Sequence, residues 1–130
     1  MAKGARQEGY AASGHQSTVD ASTVTVATAE VPDHYCGIAK VVFFTMADDV
    51  HVFIFQVSEH AVHRDGANAT HDGALLGDLS SDTKRARGAG LAPTIDCTGT
   101  TLRVRATGVV GNNLEHFAFI YWAGLGQWLA

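Results

Sequence analysis

Apolar and polar residues alternate along much of this chain, and a period of two marks strands that are half-buried in a sheet. From Ser22, Val24 and Val26 alternate with Thr23 and Thr25 until Pro32 stops the run. Residues 38–46 and 50–62 are two further apolar runs around Ala47–Asp49, which predicts a hairpin with its turn there. Within the second run Val50, Val52 and Ile54 point one way, and His51, Phe53, Phe55 and Val57 the other. Residues 94–108 predict a strand with Leu102, Val104 and Ala106 inward and Arg103 and Arg105 outward. A turn at residues 110–113 leads to a return strand through Ala123. There His116, Ala118, Ile120 and Trp122 share one face, and Phe117, Phe119 and Tyr121 share the other.

Capping signals followed by a 3.6-residue period are missing, and β-branched and aromatic residues fill the periodic segments. The expected fold is therefore all-β: an antiparallel β-sandwich, jelly-roll-like, with an extended N-terminal arm. The arm is residues 1–20, rich in Gly, Ala, Ser and Gln, and the sandwich is residues 21–130. Residues 64–94 are glycine-rich and read chiefly as loop, with short strands around Ala74–Leu79. A loop of that length usually serves contact or binding. Strands apolar on both faces imply a second cover, either a neighbouring subunit or the arm. Tyr10, Phe117, Phe119, Tyr121, Trp128 and Leu129 are the candidate interface residues on this reading.

The formal net charge is −4, from 9 Lys and Arg against 13 Asp and Glu, so bulk attraction to nucleic acid is not expected. The charges are segregated. Residues 30–82 carry nine acids against Lys40 and Arg64, whereas residues 84–105 carry five bases against Asp96 alone. Such a distribution suits contacts between subunits, with Lys84, Arg85 and Arg87 as a charged contact loop. Cys36 and Cys97 do not make a disulfide framework; a single bridge is one reading, and two buried free thiols behaving as small hydrophobes is the favoured one. The first residues hold no apolar core of a secretory signal, and Asp48 and Asp49 interrupt the longest apolar run. Synthesis in a cytoplasm, without a membrane partner, is the expectation.

Catalytic constellations find little support. His60, His63 and His71 lie close in sequence, but residues three apart on a strand face opposite sides, and no Cys joins them as a zinc ligand. Asp65, Asn68, Asp72 and Asp78 offer oxygen ligands without calcium-loop spacing. Ser13 is not set in a nucleophile elbow, and no phosphate-binding glycine loop occurs. Asp48 and Asp49 are adjacent and diverge, where glycoside hydrolysis needs carboxyls facing each other. The expectation is a protein with no catalysis and no cofactor.

Arg64, Asp65 and Gly66, then Leu102, Val104, Thr107 and Gly108, and finally an aromatic at Trp122 or Phe117 form a recurring arrangement. An Arg-Asp-Gly turn precedes a polar loop, and a strand, a short turn and an aromatic final strand close the sheet. Over roughly residues 40–124 it resembles small β-sandwich structural proteins of tailed bacteriophages. Ala106 departs from that pattern, standing where valine is commoner. The resemblance implies a virion component, most simply a capsid decoration subunit bound to the major capsid protein or other virion subunits. It also implies a homo-oligomer, with a trimer favoured, whose arm clamps its neighbours. The alternative is a tail-fibre or carbohydrate-binding module in which Tyr10, Tyr35, Trp122 and Trp128 stack on glycans. A cupin-type metalloenzyme, with His60, His63, His71 or His116 converging in a barrel, is the third reading.

Overall fold

In a computed structural model the chain folds as two packed antiparallel sheets, and residues 5–47, 53–66, 68–78, 93–111 and 113–126 are described. The eight strands are β1 (Ala5–Thr18), β2 (Thr23–Glu30), β3 (Cys36–Ala47), β4 (Phe53–Asp65), β5 (Asn68–Asp78), β6 (Thr94–Thr98), β7 (Thr101–Thr107) and β8 (Leu114–Gly126). One sheet has the order β1-β8-β3-β4-β5 and the other β2-β7-β6. Pairing is nested at the chain ends, β1 with β8 and β2 with β7, as when a long hairpin is rolled up. β3, β4 and β5 form a meander, and β8 returns beside β3, which is the Greek-key order. The all-β sandwich expected from the sequence is the fold found; the division is five strands against three.

The core follows the alternation. Val26, Ala29, Leu102, Val104 and Ala106 come from the smaller sheet, and Ala39, Val41, Phe43, Val62, Ala118, Ile120 and Trp122 from the larger. They alternate with outward-facing residues, except at the irregularity of β2 where Val26 and Ala27 are both buried. Burial of such side chains, at about 25 cal/mol per Å² of apolar area, is the main favourable term.

Two strands lie where the composition predicts none or little. Ala5–Thr18, inside the expected arm, runs antiparallel to β8 along its whole length, from Ala5 opposite Gly126 to Thr18 opposite Leu114. β5 occupies the first part of the stretch read as loop. Residues 79–92, with Lys84, Arg85 and Arg87, lie outside the described residues, as do Trp128 and Leu129.

The Arg-Asp-Gly turn has a structural role. Gly66 takes a positive φ of 80°, which reverses the chain between β4 and β5. The Arg64 guanidinium donates to the carbonyl of Gly66 at 2.6 Å and to that of Val31 at 2.7 Å, so it ties the turn to the end of β2. Its own backbone N–H donates to the Tyr35 carbonyl at 2.9 Å. We expect Arg64→Ala to cost about 2 kcal/mol, the usual scale for hydrogen bonds from a charged donor. Urea unfolding of the two proteins checks this; an unchanged midpoint would show that the turn holds without Arg64.

Candidate functional site

The outer face of the five-stranded sheet carries Tyr10, Phe117, Phe119 and Tyr121 of the expected interface residues, and the register shows how they are arranged. Four cross-strand rows run from β1 through β8 to β3, two of them on to β4. They are Ser17, Glu115 and Met46; His15, Phe117 and Phe44; Ser13, Phe119, Val42 and Val57; and Tyr10, Tyr121, Lys40 and Glu59. The two middle rows are apolar except at their β1 ends. The outer rows bring charges and hydroxyls. An apolar centre inside a polar rim is the anatomy of a protein–protein interface.

The rings in the centre stack on one another. Phe117 lies between His15 and Phe44, with centroids at 4.5 and 4.9 Å and ring planes within 16° of parallel. Phe44 also faces Phe119 at 6.2 Å. Rings stacked across strands turn their faces to each other and their edges outward, so the surface is a ribbed apolar patch. At its margin Tyr10 is 62% exposed and meets Tyr121 edge-on at 6.2 Å, while Met46 is 42% exposed. The rim is organised around Glu115, which accepts from Ser17 Oγ at 2.8 Å and pairs with His15 Nε2. Those two hydrogen bonds, Ser17 first, hold its carboxyl below the ordinary 4.5.

Tyr10, Phe117, Phe119 and Tyr121 thus converge on one surface. Missed by sequence reasoning were Phe44, Val42 and Met46, whose alternation with Phe43 and Thr45 was legible but whose alignment with β8 was not. The glycan-stacking candidates divide differently. Tyr35 is 1% exposed and Trp122 is buried, and the two rings pack against each other at 5.2 Å inside the sandwich. The Tyr35 hydroxyl donates to the Ile38 carbonyl at 3.0 Å, and burial pushes its pKa up to about 12. Neither presents a face to a sugar.

The histidines also separate. His60 points inward, where its Nε2 meets Ser58 Oγ at 2.7 Å, and His63 is exposed on the opposite face. His116 is fully buried between Thr18 Oγ1 at 2.9 Å and Thr45 Oγ1 at 2.8 Å. No group of three or more His, Cys, Asp or Glu side chains is placed to hold a metal among the described residues. Cys36 is exposed and Cys97 half-buried, and both are free thiols.

The second outer face is of another kind. β2, β7 and β6 turn out Thr23, Thr25, Thr28, Glu30, Thr101, Arg103, Arg105, Thr107, Thr94, Asp96 and Thr98, with no apolar residue among them. Arg103 is neutralised by a two-pronged pair to Asp96, Nε at 2.7 Å and NH2 at 2.8 Å.

No family model matches this chain, and no curated protein does. Among solved structures it is similar to the tailspike protein gp49 of Acinetobacter baumannii bacteriophage Fri1, a capsular polysaccharide depolymerase. The identity is 12% and the TM-score 0.43, over 85% of this chain and 17% of that one. It is also similar to the tailspike protein of Acinetobacter phage vB_ApiP_P1, at 17% identity and a TM-score of 0.39, over 85% of this chain and 22% of that one. The chain therefore spans about a fifth of the length of these tailspikes. One expectation is corrected here. A protein without catalysis was expected, and a chain of similar form is described as an enzyme, so the absence of catalysis is not retained.

Proposed function

We propose that this chain is a β-sandwich subunit or module of a tailed-bacteriophage virion that assembles through the outer face of its five-stranded sheet. The observation that carries the reading is the ribbed patch of Phe117, Phe44 and Phe119 with its charged and hydroxyl rim. A patch of that kind costs solubility unless it is covered. A further copy is the natural cover: in a trimer or a larger ring the patch of one subunit meets a different surface of the next, and the ring closes on itself. Capsid decoration is one place for such a subunit, and a tail fibre or spike is another. The segregated charges, acidic before residue 82 and basic after it, supply a register for contacts with other virion proteins.

Sedimentation of the full chain tests the assembly. We expect a trimer or larger species, and a monomer for Phe117→Glu, because a central aromatic contact is worth about 2 kcal/mol or more, roughly thirty-fold in association. Phe117 is half-exposed on the outer face, so the variant keeps its core, and its thermal melt should confirm this. A monodisperse wild-type monomer would remove the reading.

A second reading, a glycan-recognising module of a tail fibre or spike, draws on the other sheet. Its outer face is a continuous array of threonine hydroxyls around Arg105, which suits a polyhydroxylated ligand.

A further inference from the structure

We propose that Arg105 is the recognition point for the carboxylate of a sugar acid, bound on the outer face of the three-stranded sheet. The inference rests on the glycan-recognising reading and adds to it a site and a charge requirement.

The two arginines of this face differ in one respect. Arg103 spends its charge on Asp96, with both prongs of the guanidinium engaged. Arg105 sits two residues along the same strand on the same face, and its Nε is buried without a hydrogen-bond partner. No ion pair to it is found among the described residues. Buried donors are normally satisfied, and this one marks a guanidinium that no group of the described chain holds in place. The guanidinium is planar, and its two terminal nitrogens present parallel N–H bonds that match the two oxygens of a carboxylate.

The neighbours of Arg105 set the rest of the ligand. Thr25 of β2 and Thr94 of β6 stand directly opposite it on either side, which places their side chains roughly 5 Å away. Around this row lie Thr23 and Thr107 on one side and Thr28 on the other. Threonine hydroxyls both donate and accept, as sugar hydroxyls do, and their methyl groups give a shallow apolar floor. An acidic peptide would use the carboxylate position and leave the hydroxyls unmet. A phosphate backbone would be repelled by a chain of net charge −4 that offers one unpaired arginine on this face. A saccharide carrying a carboxylate uses both features.

This face is on the opposite side of the molecule from the aromatic patch, so ligand and self-assembly do not compete. A tetramer of hexuronic acid, a neutral hexose tetramer and a glutamate tetrapeptide are the probes, titrated into the full chain while backbone amide shifts are followed. The result expected is binding of the uronic acid probe, with shifts confined to β2, β6 and β7, weakened at least ten-fold by Arg105→Gln and three-fold or more by Thr25→Val. Arg105→Gln should melt with the wild type, since the residue is only half-buried on an outer face. Uronic acid and neutral probes binding equally, with Arg105→Gln unchanged, would overturn the inference and leave the glycan reading standing. No binding of either sugar would remove both. Tighter binding of the glutamate peptide than of the sugar acid would overturn the saccharide class.

Discussion

Gly14→Ala is expected to lower stability by about 3 kcal/mol or more, roughly 10 °C in melting temperature for a chain of this size. Gly14 faces inward from β1 where that strand crosses the middle of β2, at Val26 and Ala27. A Cβ built on it lies 1.8 Å from the carbonyl oxygen of Val26 and 2.9 Å from its carbonyl carbon. Both are backbone atoms, so no rotamer change relieves the clash. Either β1 leaves β8 or β2 leaves β7, and each carries core residues with it. Ser13, the next residue along, is exposed on the outer face and provides the control. Ser13→Ala should change stability by less than about 0.5 kcal/mol. Thermal melts of the three proteins decide the matter. A Gly14→Ala protein that melts with the wild type would mean that β1 does not pack over β2 in solution, and that residues 5–18 behave as a free arm.

Gly14 also shows why β1 was illegible. A strand is announced by β-branched and aromatic residues in alternation, and β1 has Tyr10 alone among its aromatics with Gly9, Gly14, Ser13 and Gln16 around it. Its pairing comes from the partner. β8 has an apolar side chain on each face and an open edge, and small residues in β1 are what allow close approach to the second sheet. Composition reports the smallness and not the reason for it. β8 and β7 were legible for the opposite cause: His116, Ala118, Ile120 and Trp122, like Leu102, Val104 and Ala106, are buried in strict alternation. The assignment of Trp122 and Tyr35 to sugar stacking failed because an aromatic side chain carries no mark of which sheet face it will occupy. Register was the other thing out of reach. That Phe44 stands opposite Phe117 depends on a hairpin and a long-range pairing together, and neither is written in local periodicity.

β1 also alters how the assembly should be probed. Deleting residues 1–20 would remove an edge strand, Gly14 at the crossing and Thr18 beside His116, so a change in mass would follow from damage to the fold. A substitution such as Phe117→Glu touches only the outer face. The two outer faces can then be examined independently, one aromatic and one lined with threonine and arginine, because the sandwich core lies between them.

The second large effect is expected in acid, as pH falls below 6.5, and it belongs to His116. The ring is fully buried, stacks at 6.2 Å on Phe43 and is held at Nε2 by Thr18 and at Nδ1 by Thr45. Burial pushes its pKa below the ordinary 6.5, with the Glu115 carboxylate opposing in smaller part and His15 adding to the fall. A neutral imidazole offers one N–H and one acceptor nitrogen, so one threonine accepts from it and the other donates to it. Above pH 6.5 neither folded nor unfolded chain holds the proton, and the full stability is present. Below pH 6.5 the unfolded chain takes up a proton that the folded chain resists, so stability falls as pH falls, at no more than about 1.4 kcal/mol per pH unit for one group. Glu115, whose pKa is lowered from 4.5, adds its own loss only below that value, so between pH 6.5 and 4.5 its carboxyl does not contribute to the slope. Urea unfolding at half-unit steps across the range, for the wild type and for His116→Gln, isolates the ring. The variant is less stable at pH 7, because glutamine fits the two threonines poorly, and its stability should fall less steeply between pH 6.5 and 4.5. Parallel curves for the two proteins would show that the buried ring does not titrate in this window. Acid would then loosen the fold elsewhere, and the Thr18–His116–Thr45 bridge between β1, β8 and β3 would outlast it.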